Sequence, residues 1–416
     1  MKNKVVSVLV GMQLSFGCLY ATAQQVLETG AAKPMPPEWI DKDTGHKVVR
    51  LSRNEGSNAS FYFHNNPFLK QSGNEGDKMV YYSTDARGNK QLYTVNLKTL
   101  KTEQLTDNAS EKKGEIIARK LREAFYQSRD SVFATNTDTR KTRLVYVFPE
   151  DVKGSISTLN ADETLLAGSF AGPEKDAIYA QYPEKSDYFN RIFDANIPHT
   201  LFTIHLETGK MQEIHQENTW LGHIQFSPTN PDLLMFCHEG PWHKVDRIWT
   251  YDMQSGAVKK MHTRTVEGEI AGHEFFSPDG KTIWFDQQVP RGKTFYLTGA
   301  DVETGKEKQY QLERNEWSIH FNVSPDQQLF AGDGGDPGQV AKATDGMWIY
   351  LFRPLGNQLK SERLVNMKHH YYKLEPNVHF SPDGKWVIFR ANFEGESQVY
   401  AVEIEKSKKQ QRAKQK

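Results

Sequence analysis

An all-β propeller is the fold class this sequence predicts, and three observations predict it. A turn element recurs as FSPTNPDLLMF from Phe226, FSPDGKTIWF from Phe276, VSPDQQLFAG from Val323 and FSPDGKWVIF from Phe380, with a weaker relative, LNADETLLAGS, from Leu159. Strand-like runs of alternating character surround these turns, among them VYYS, QLYTVNL, TLFTIHL, RIWTYDM and QVYAVEI, often closing on a polar turn such as Glu-Thr-Gly. The units recur at roughly 45 to 55 residues, the range in which four-stranded sheets repeat as propeller blades.

Each element has a physical reason. In the recurring turn Pro pre-sets the first turn dihedral, Asp accepts local backbone hydrogen bonds, and Gly takes a positive φ. Alternation in Arg247-Ile248-Trp249-Thr250-Tyr251 suits a strand packed on both faces by neighbouring blades. The segment Glu111 to Gln127 has partial helical periodicity but returns to strand character over 129–149, so it reads as a decorated early blade rather than a helical domain. Gly172 to Pro198, rich in Tyr, Asp and Pro, reads as a long insertion on one face, of the kind that walls a substrate cleft.

Composition narrows the function classes. Among 416 residues, 52 Lys and Arg balance 52 Asp and Glu, so no global basic field invites nucleic acid. Hydrophobic content of 37% and aromatic content of 12% suffice for a packed core, and no transmembrane span follows the N-terminus. The first 23 residues read as a signal peptide: Lys2 and Lys4, an apolar stretch Val5 to Phe16, and Ala21-Thr22-Ala23 before a cut ahead of Gln24. The expectation is a periplasmic or secreted protein, with lipidation at Cys18 as the alternative. Removing the leader leaves Cys237 alone, which excludes an intramolecular disulfide. A single propeller domain over 24–404 then precedes a basic tail, 405–416, that reads as a solvated terminus.

The chemistry concentrates in Gln216 to Arg247, where His223, His238, His243, Glu239, Asp246 and Arg247 stand within one window. His273 in GHEFFSPDG and His320 in HFNVSPDQQ precede the same turn in later units, so a repeated scaffold delivers polar side chains toward a common point. His64 in FYFHNNPF holds a comparable place near the start. Each histidine has a structural alternative, namely a hydrogen bond between blades or at a strand end. Asp333 and Asp336 in GDGGD suit a Gly-rich turn better than a cation site. Trp220, Trp242 and Trp317 can stack on sugars or pack between blades.

At QENTWLGH, FCHEGPWHKVDRIW, EGEIAGHEF and AGDGGD the chain resembles the oligogalacturonate lyases, and the resemblance extends from about Asp41 to Val402. It implies a seven-bladed β-propeller, β-elimination on an acidic oligosaccharide of uronates, and a divalent metal, usually manganese. By position, Arg247 falls on the proton-abstracting arginine, His243 and His273 on active-site histidines, and His320 on a metal-binding histidine. His238 is a further candidate base, and His64, His223, Glu239, Trp242 and Tyr372 are candidate substrate contacts. The family's remaining metal ligands, a Gln and a His-Pro-His motif, correspond here to YKLEPNVHF, with Tyr372, Glu375 and Asn377 in their places.

Glu375 and Asn377 offer oxygen donors that manganese or calcium accepts. Otherwise Arg or His carries the metal's charge role, or the substrate is a related uronate glycan such as a rhamnose-glucuronate. Elimination requires removing a proton beside a carboxylate, so the site must neutralise that carboxylate and place a base. An arginine grips a carboxylate in a bidentate fork but is a poor base. The residues therefore leave open whether Arg247 binds the carboxylate while His243, His238 or His273 takes the proton. A non-catalytic binding propeller is the competing reading, and a glycoside hydrolase lacks an evident carboxylate pair.

Overall fold

The computed structural model describes residues 25–69 and 77–406. The expected leader lies outside them, as do residues 407–416 of the expected tail. Glu405 and Lys406 complete the last strand, Gln398–Lys406.

The strands form six hydrogen-bonded sheets that resolve into seven blades, because the eight-stranded sheet is two blades joined by one parallel pair, Gln311 with Gln358. Blades 1 to 6 occupy 58–104, 113–147, 155–217, 221–260, 270–312 and 321–366, each running antiparallel from the axis outward. Blade 7 is built from both ends of the chain. Its inner strands, from 379 to 406, are completed by His46–Arg50, which pairs antiparallel with Gln398–Lys406 (Val48 opposite Val402, Arg50 opposite Tyr400). The all-β, seven-bladed expectation holds. Residues 111–127 contain the first two strands of blade 2, Lys113–Ala118 and Glu123–Ser128, and no helix.

Apolar faces meet between blades, as alternation requires. Phe125, Val132, Phe148, Leu166 and Phe202 fill the space between blades 2 and 3, and Phe61, Val80, Leu92 and Tyr126 that between blades 1 and 2. Each fully buried side chain of this size contributes roughly 1.5–3 kcal/mol.

The recurring turns lie together at one end of the channel. In Ser277-Pro278-Asp279-Gly280 the Ser277 hydroxyl donates to Asp279 Oδ1 at 2.6 Å and accepts from the Thr282 amide at 3.0 Å, with Gly280 at φ 69°. Ser324 and Ser381 repeat the pattern with Asp326 and Asp383, both at 2.6 Å. The connections between the second and third strands lie at the opposite end. Gly172 to Pro198 is one of them: it carries two helices, α1 (Glu174–Gln181) and α2 (Lys185–Asp194), between Leu165–Ala171 and His199–His205 of blade 3. Among the described residues, no helix is long and apolar enough to cross a membrane.

Candidate active site

Blades 4 and 5 bring histidines to the axis by the same local device. Gly222-His223 and Gly272-His273 each sit at a register shift of the innermost strand, and the histidines take positive φ values of 46° and 51°. An L-residue in this region within a bulge is strained, and such bulges re-aim side chains at functional sites. Gly222 is required here, since a Cβ would stand 2.9 Å from Glu239 Cγ. Asn377, ahead of the innermost strand of blade 7, repeats the conformation at φ 55°.

The axial side chains form one cluster. The His64 ring lies 5.0 Å from Tyr62 and 6.3 Å from His223, while His273 and His320 stand 4.9 Å apart and Phe63 stacks on His320 at 4.6 Å. Arg247, only 4% exposed, holds two carboxylates: Nε donates to Glu274 at 3.0 Å and Nη1 to Glu239 at 2.9 Å. Glu239 in turn lies 3.1 Å from His223 Nε2. Burial opposes charge on Arg247, but Glu274 and Glu239 hold its pKa well above the ordinary value. Burial likewise raises Glu239 and Glu274, yet Arg247 and His223 hold both below the usual carboxylate range.

Two His–Asp pairs complete the cluster. His273 Nδ1 lies 2.8 Å from Asp286 Oδ1; burial opposes its charge, and Asp286 overrides this to leave the pKa raised. Its Nε2 has no hydrogen bond among the described residues, and Trp242 stands beside the ring at 6.3 Å. His320 Nδ1 lies 2.8 Å from Asp333 Oδ2, so its Nε2 is buried with no hydrogen-bond partner among the described residues. Burial pushes His320 well below its ordinary pKa, His64 down to about 3, and Asp333 up to about 7.

Several expectations are corrected. His238 does not face the axis: its Nε2 lies 2.9 Å from Glu217 on blade 3 and its ring stacks on Trp249 at 4.6 Å. Strand alternation turns His238 away from Glu239, which leaves it structural. His243 is exposed on the turn before Arg247, and its carbonyl accepts from Arg264. Tyr372 is buried, its hydroxyl donating to the Asp333 carbonyl at 3.0 Å, so no sugar reaches it. Asn377 is committed too: its Oδ1 accepts from Phe63 N at 2.9 Å and its Nδ2 donates to Glu375 O at 3.0 Å. Asp333 is no mere turn residue, because it is fully buried and accepts from His320 N, His320 Nδ1 and Asn377 N. Arg247, His273, His64, His223, Glu239, Trp242 and His320 are brought together as expected.

Sequence reasoning missed Glu274, Asp286 and Lys175. Glu274 follows His273 directly, and alternation alone could have marked it as buried. Lys175, on α1, donates to His199 Nε2 at 3.0 Å and lies 4.8 Å over Trp220, with burial lowering its pKa to about 8. Phe193 of α2 packs on Gly240, so the insertion walls the site as expected.

The oligogalacturonate lyase family model matches residues 37–408. The chain belongs to the oligogalacturonate lyase family. Within it, the chain is 25% identical to an oligogalacturonide lyase of Pectobacterium atrosepticum over 88% of its length and 95% of the relative's. It is 24% identical to an oligogalacturonate lyase of Dickeya dadantii with the same coverage. A solved oligogalacturonate lyase in complex with manganese shares its fold at a TM-score of 0.76 and 24% identity, covering 88% of this chain and 96% of that one. A second, from Vibrio parahaemolyticus, gives a TM-score of 0.75 at 24% identity with the same coverage.

The residues here do not make a complete manganese site. His320 Nε2 is a buried nitrogen with a free lone pair, and Glu375 Oε2 stands 3.8 Å from it. The amide of Asn377 and the hydroxyl of Tyr372 are already engaged, and among the described residues no group of three His, Cys, Asp or Glu side chains is placed to hold an ion.

Proposed function

We propose that the protein is a polysaccharide lyase that cleaves oligogalacturonate by β-elimination, giving unsaturated uronate products. The observation that carries this reading is His273 at the mouth of the axial cluster, held by Asp286 through Nδ1 with Nε2 free, beside the Arg247–Glu239–His223 chain. Family membership supplies the reaction class.

His273 Nε2 takes the proton beside the uronate carboxylate, the C–H electron pair becomes the new double bond as the glycosidic C–O bond breaks, and the departing oxygen takes a proton from solvent. Asp286 fixes the His273 tautomer and stabilises the imidazolium that forms. Arg247 acts as a positioning residue. With both carboxylates bound it stays charged and cannot accept a proton, but it fixes Glu239, which orients His223. Trp242 bounds the mouth beside His273. No step runs through a metal, since the donor set falls short of one.

Absorbance of the conjugated product, followed as purified protein meets oligogalacturonate, tests the reading; no rise from folded protein overturns it. A rhamnose-glucuronate or related uronate glycan is the second reading, favoured by Tyr372, Glu375 and Asn377 in the final blade, and the same assay on that glycan separates the two. Export to the periplasm or medium belongs to the proposal, on the strength of the first 23 residues.

A further inference from the structure

The axial cluster is acidic. Glu239 and Glu274 hold the Arg247 guanidinium, while Asp286 pairs with His273 and Glu375 stands 3.8 Å from His320. An acidic oligosaccharide meets repulsion there unless the same end of the propeller holds cations outside direct ion pairs.

Two such cations stand where blade 7 meets blade 1. Arg390, near the end of Trp386–Ala391, is fixed by backbone carbonyls: its Nε donates to Glu375 O at 2.7 Å and its Nη1 to Ser60 O at 3.1 Å. Lys90 opens the third strand of blade 1, Lys90–Asn96, and its Nζ lies 3.8 Å over the Tyr82 ring. Among the described residues, neither forms an ion pair with a carboxylate. Burial lowers the pKa of both, and the nearby carboxylates of Glu115 (on both) and Glu375 (on Arg390) offset it only in part.

Arg247 shows how this chain treats a buried guanidinium when no ligand is meant to meet it: two glutamates neutralise it. Carbonyls orient the Arg390 fork without neutralising it, and Nη2 has no hydrogen bond among the described residues. Keeping a desolvated cation unpaired is costly, and an anionic ligand removes the cost. Arg390 is tied directly to the active site, because the residue whose carbonyl holds it, Glu375, faces His320 at 3.8 Å.

We propose that Arg390 and Lys90 form a carboxylate-binding subsite at the junction of blades 7 and 1, taking the uronate carboxylate of a sugar that flanks the cleaved linkage. The inference rests on the lyase reading for its substrate class. A guanidinium held in plane suits a carboxylate fork, and the Lys90 ammonium adds a point charge beside it.

Calorimetric binding of trigalacturonate to the full chain is measured for wild type, Lys90→Met, Arg390→Met and Arg390→Lys, with KM and kcat from product absorbance. Each neutral variant is expected to bind about five- to tenfold more weakly, the loss falling mainly on KM, and Arg390→Lys to recover part of it. Melting is recorded in parallel, because Arg390→Met strips two carbonyls of their donor. If that variant unfolds, Lys90→Met decides, since its side chain holds no backbone. Affinity equal to wild type in folded Lys90→Met and Arg390→Met, or in Lys90→Met alone if Arg390→Met unfolds, overturns the subsite and leaves the lyase reading standing. A wild type that binds without eliminating overturns the lyase reading, while weaker binding by the variants still supports the subsite. A wild type that does not bind overturns both.

Discussion

Replacing Arg247 with methionine removes the only guanidinium between two buried carboxylates. Arg247 is 4% exposed, and its bonds to Glu274 (3.0 and 3.4 Å) and Glu239 (2.9 and 3.3 Å) engage Nε, Nη1 and Nη2. Breaking a buried pair from one side typically costs about 3–5 kcal/mol, because the remaining charges stay desolvated without a partner. At about 2.1 cal/mol/K per residue, a domain of this size has an unfolding entropy on the order of 0.8 kcal/mol/K, so Arg247→Met should lower Tm by about 4–6 °C. In wild type both glutamates have depressed pKa values, so their contribution is present above the unfolded carboxylate pKa and is lost as pH falls through the folded values. In the variant they are orphaned and take up protons readily, so the deficit against wild type should narrow as pH falls toward 4. Adding Glu239→Gln and Glu274→Gln should restore most of the Tm at pH 7 without restoring turnover. Calorimetric melting between pH 4 and 8, with product absorbance beside it, checks every step. An Arg247→Met protein that melts like wild type, or one whose deficit is the same at every pH, would refute the reasoning.

Three further outcomes are expected. Asp286→Asn removes the charge that raises the His273 pKa, so the acidic limb of the kcat/KM profile should move to lower pH while the plateau falls, and His273→Ala should lose about 10²–10⁴ in kcat; an unmoved limb argues against His273 as base. Dialysis against a chelator should leave both the rate and the Tm unchanged, and elemental analysis should find well under one manganese per chain, whereas a rate restored only by added manganese contradicts the donor count. His262 lies between Glu269 (2.9 Å) and Glu307 (2.6 Å), which raise its pKa against burial. Its stabilisation is therefore complete below the unfolded histidine pKa and lost as pH rises through the folded value. His262→Gln should flatten that part of the Tm–pH curve, and an unchanged curve rejects the bridge.

The local features were readable from the chain. The Ser-Pro-Asp turns carry their own hydrogen bonds within a few residues, so the repeat followed from local chemistry, whereas the count of seven blades came from the family resemblance. The Gly-His pairs were visible as motifs, and the fold brings His223, Glu239, Arg247 and His273 into one cluster. What failed was long-range partnering. Asp333 looked like a turn residue because its roles, holding His320 across its own blade and the Asn377 amide of the neighbouring blade, depend on pairings that sequence does not display. His243 and His238 share a window with Arg247, but proximity along the chain says nothing of which face a side chain takes. Parity would have removed His238, since Cys237 and Glu239 share the opposite face. Arg390 gave no signal, because its partners are the carbonyls of Ser60 and Glu375, groups common to every residue.

The clasp between His46–Arg50 and Gln398–Lys406 has a consequence for biosynthesis. Tyr62, Phe63 and His64 come from the first blade to be made, whereas Glu375, Asn377 and Arg390 come from the last, and all gather round one axis. During synthesis the early residues wait for nearly the whole polypeptide before their neighbours exist. Such distant pairing slows folding and makes completion all-or-none. A truncated product thus lacks both its clasp and the blade 7 side of its axial cluster, so the toroid is complete at its axis only once the whole chain is made.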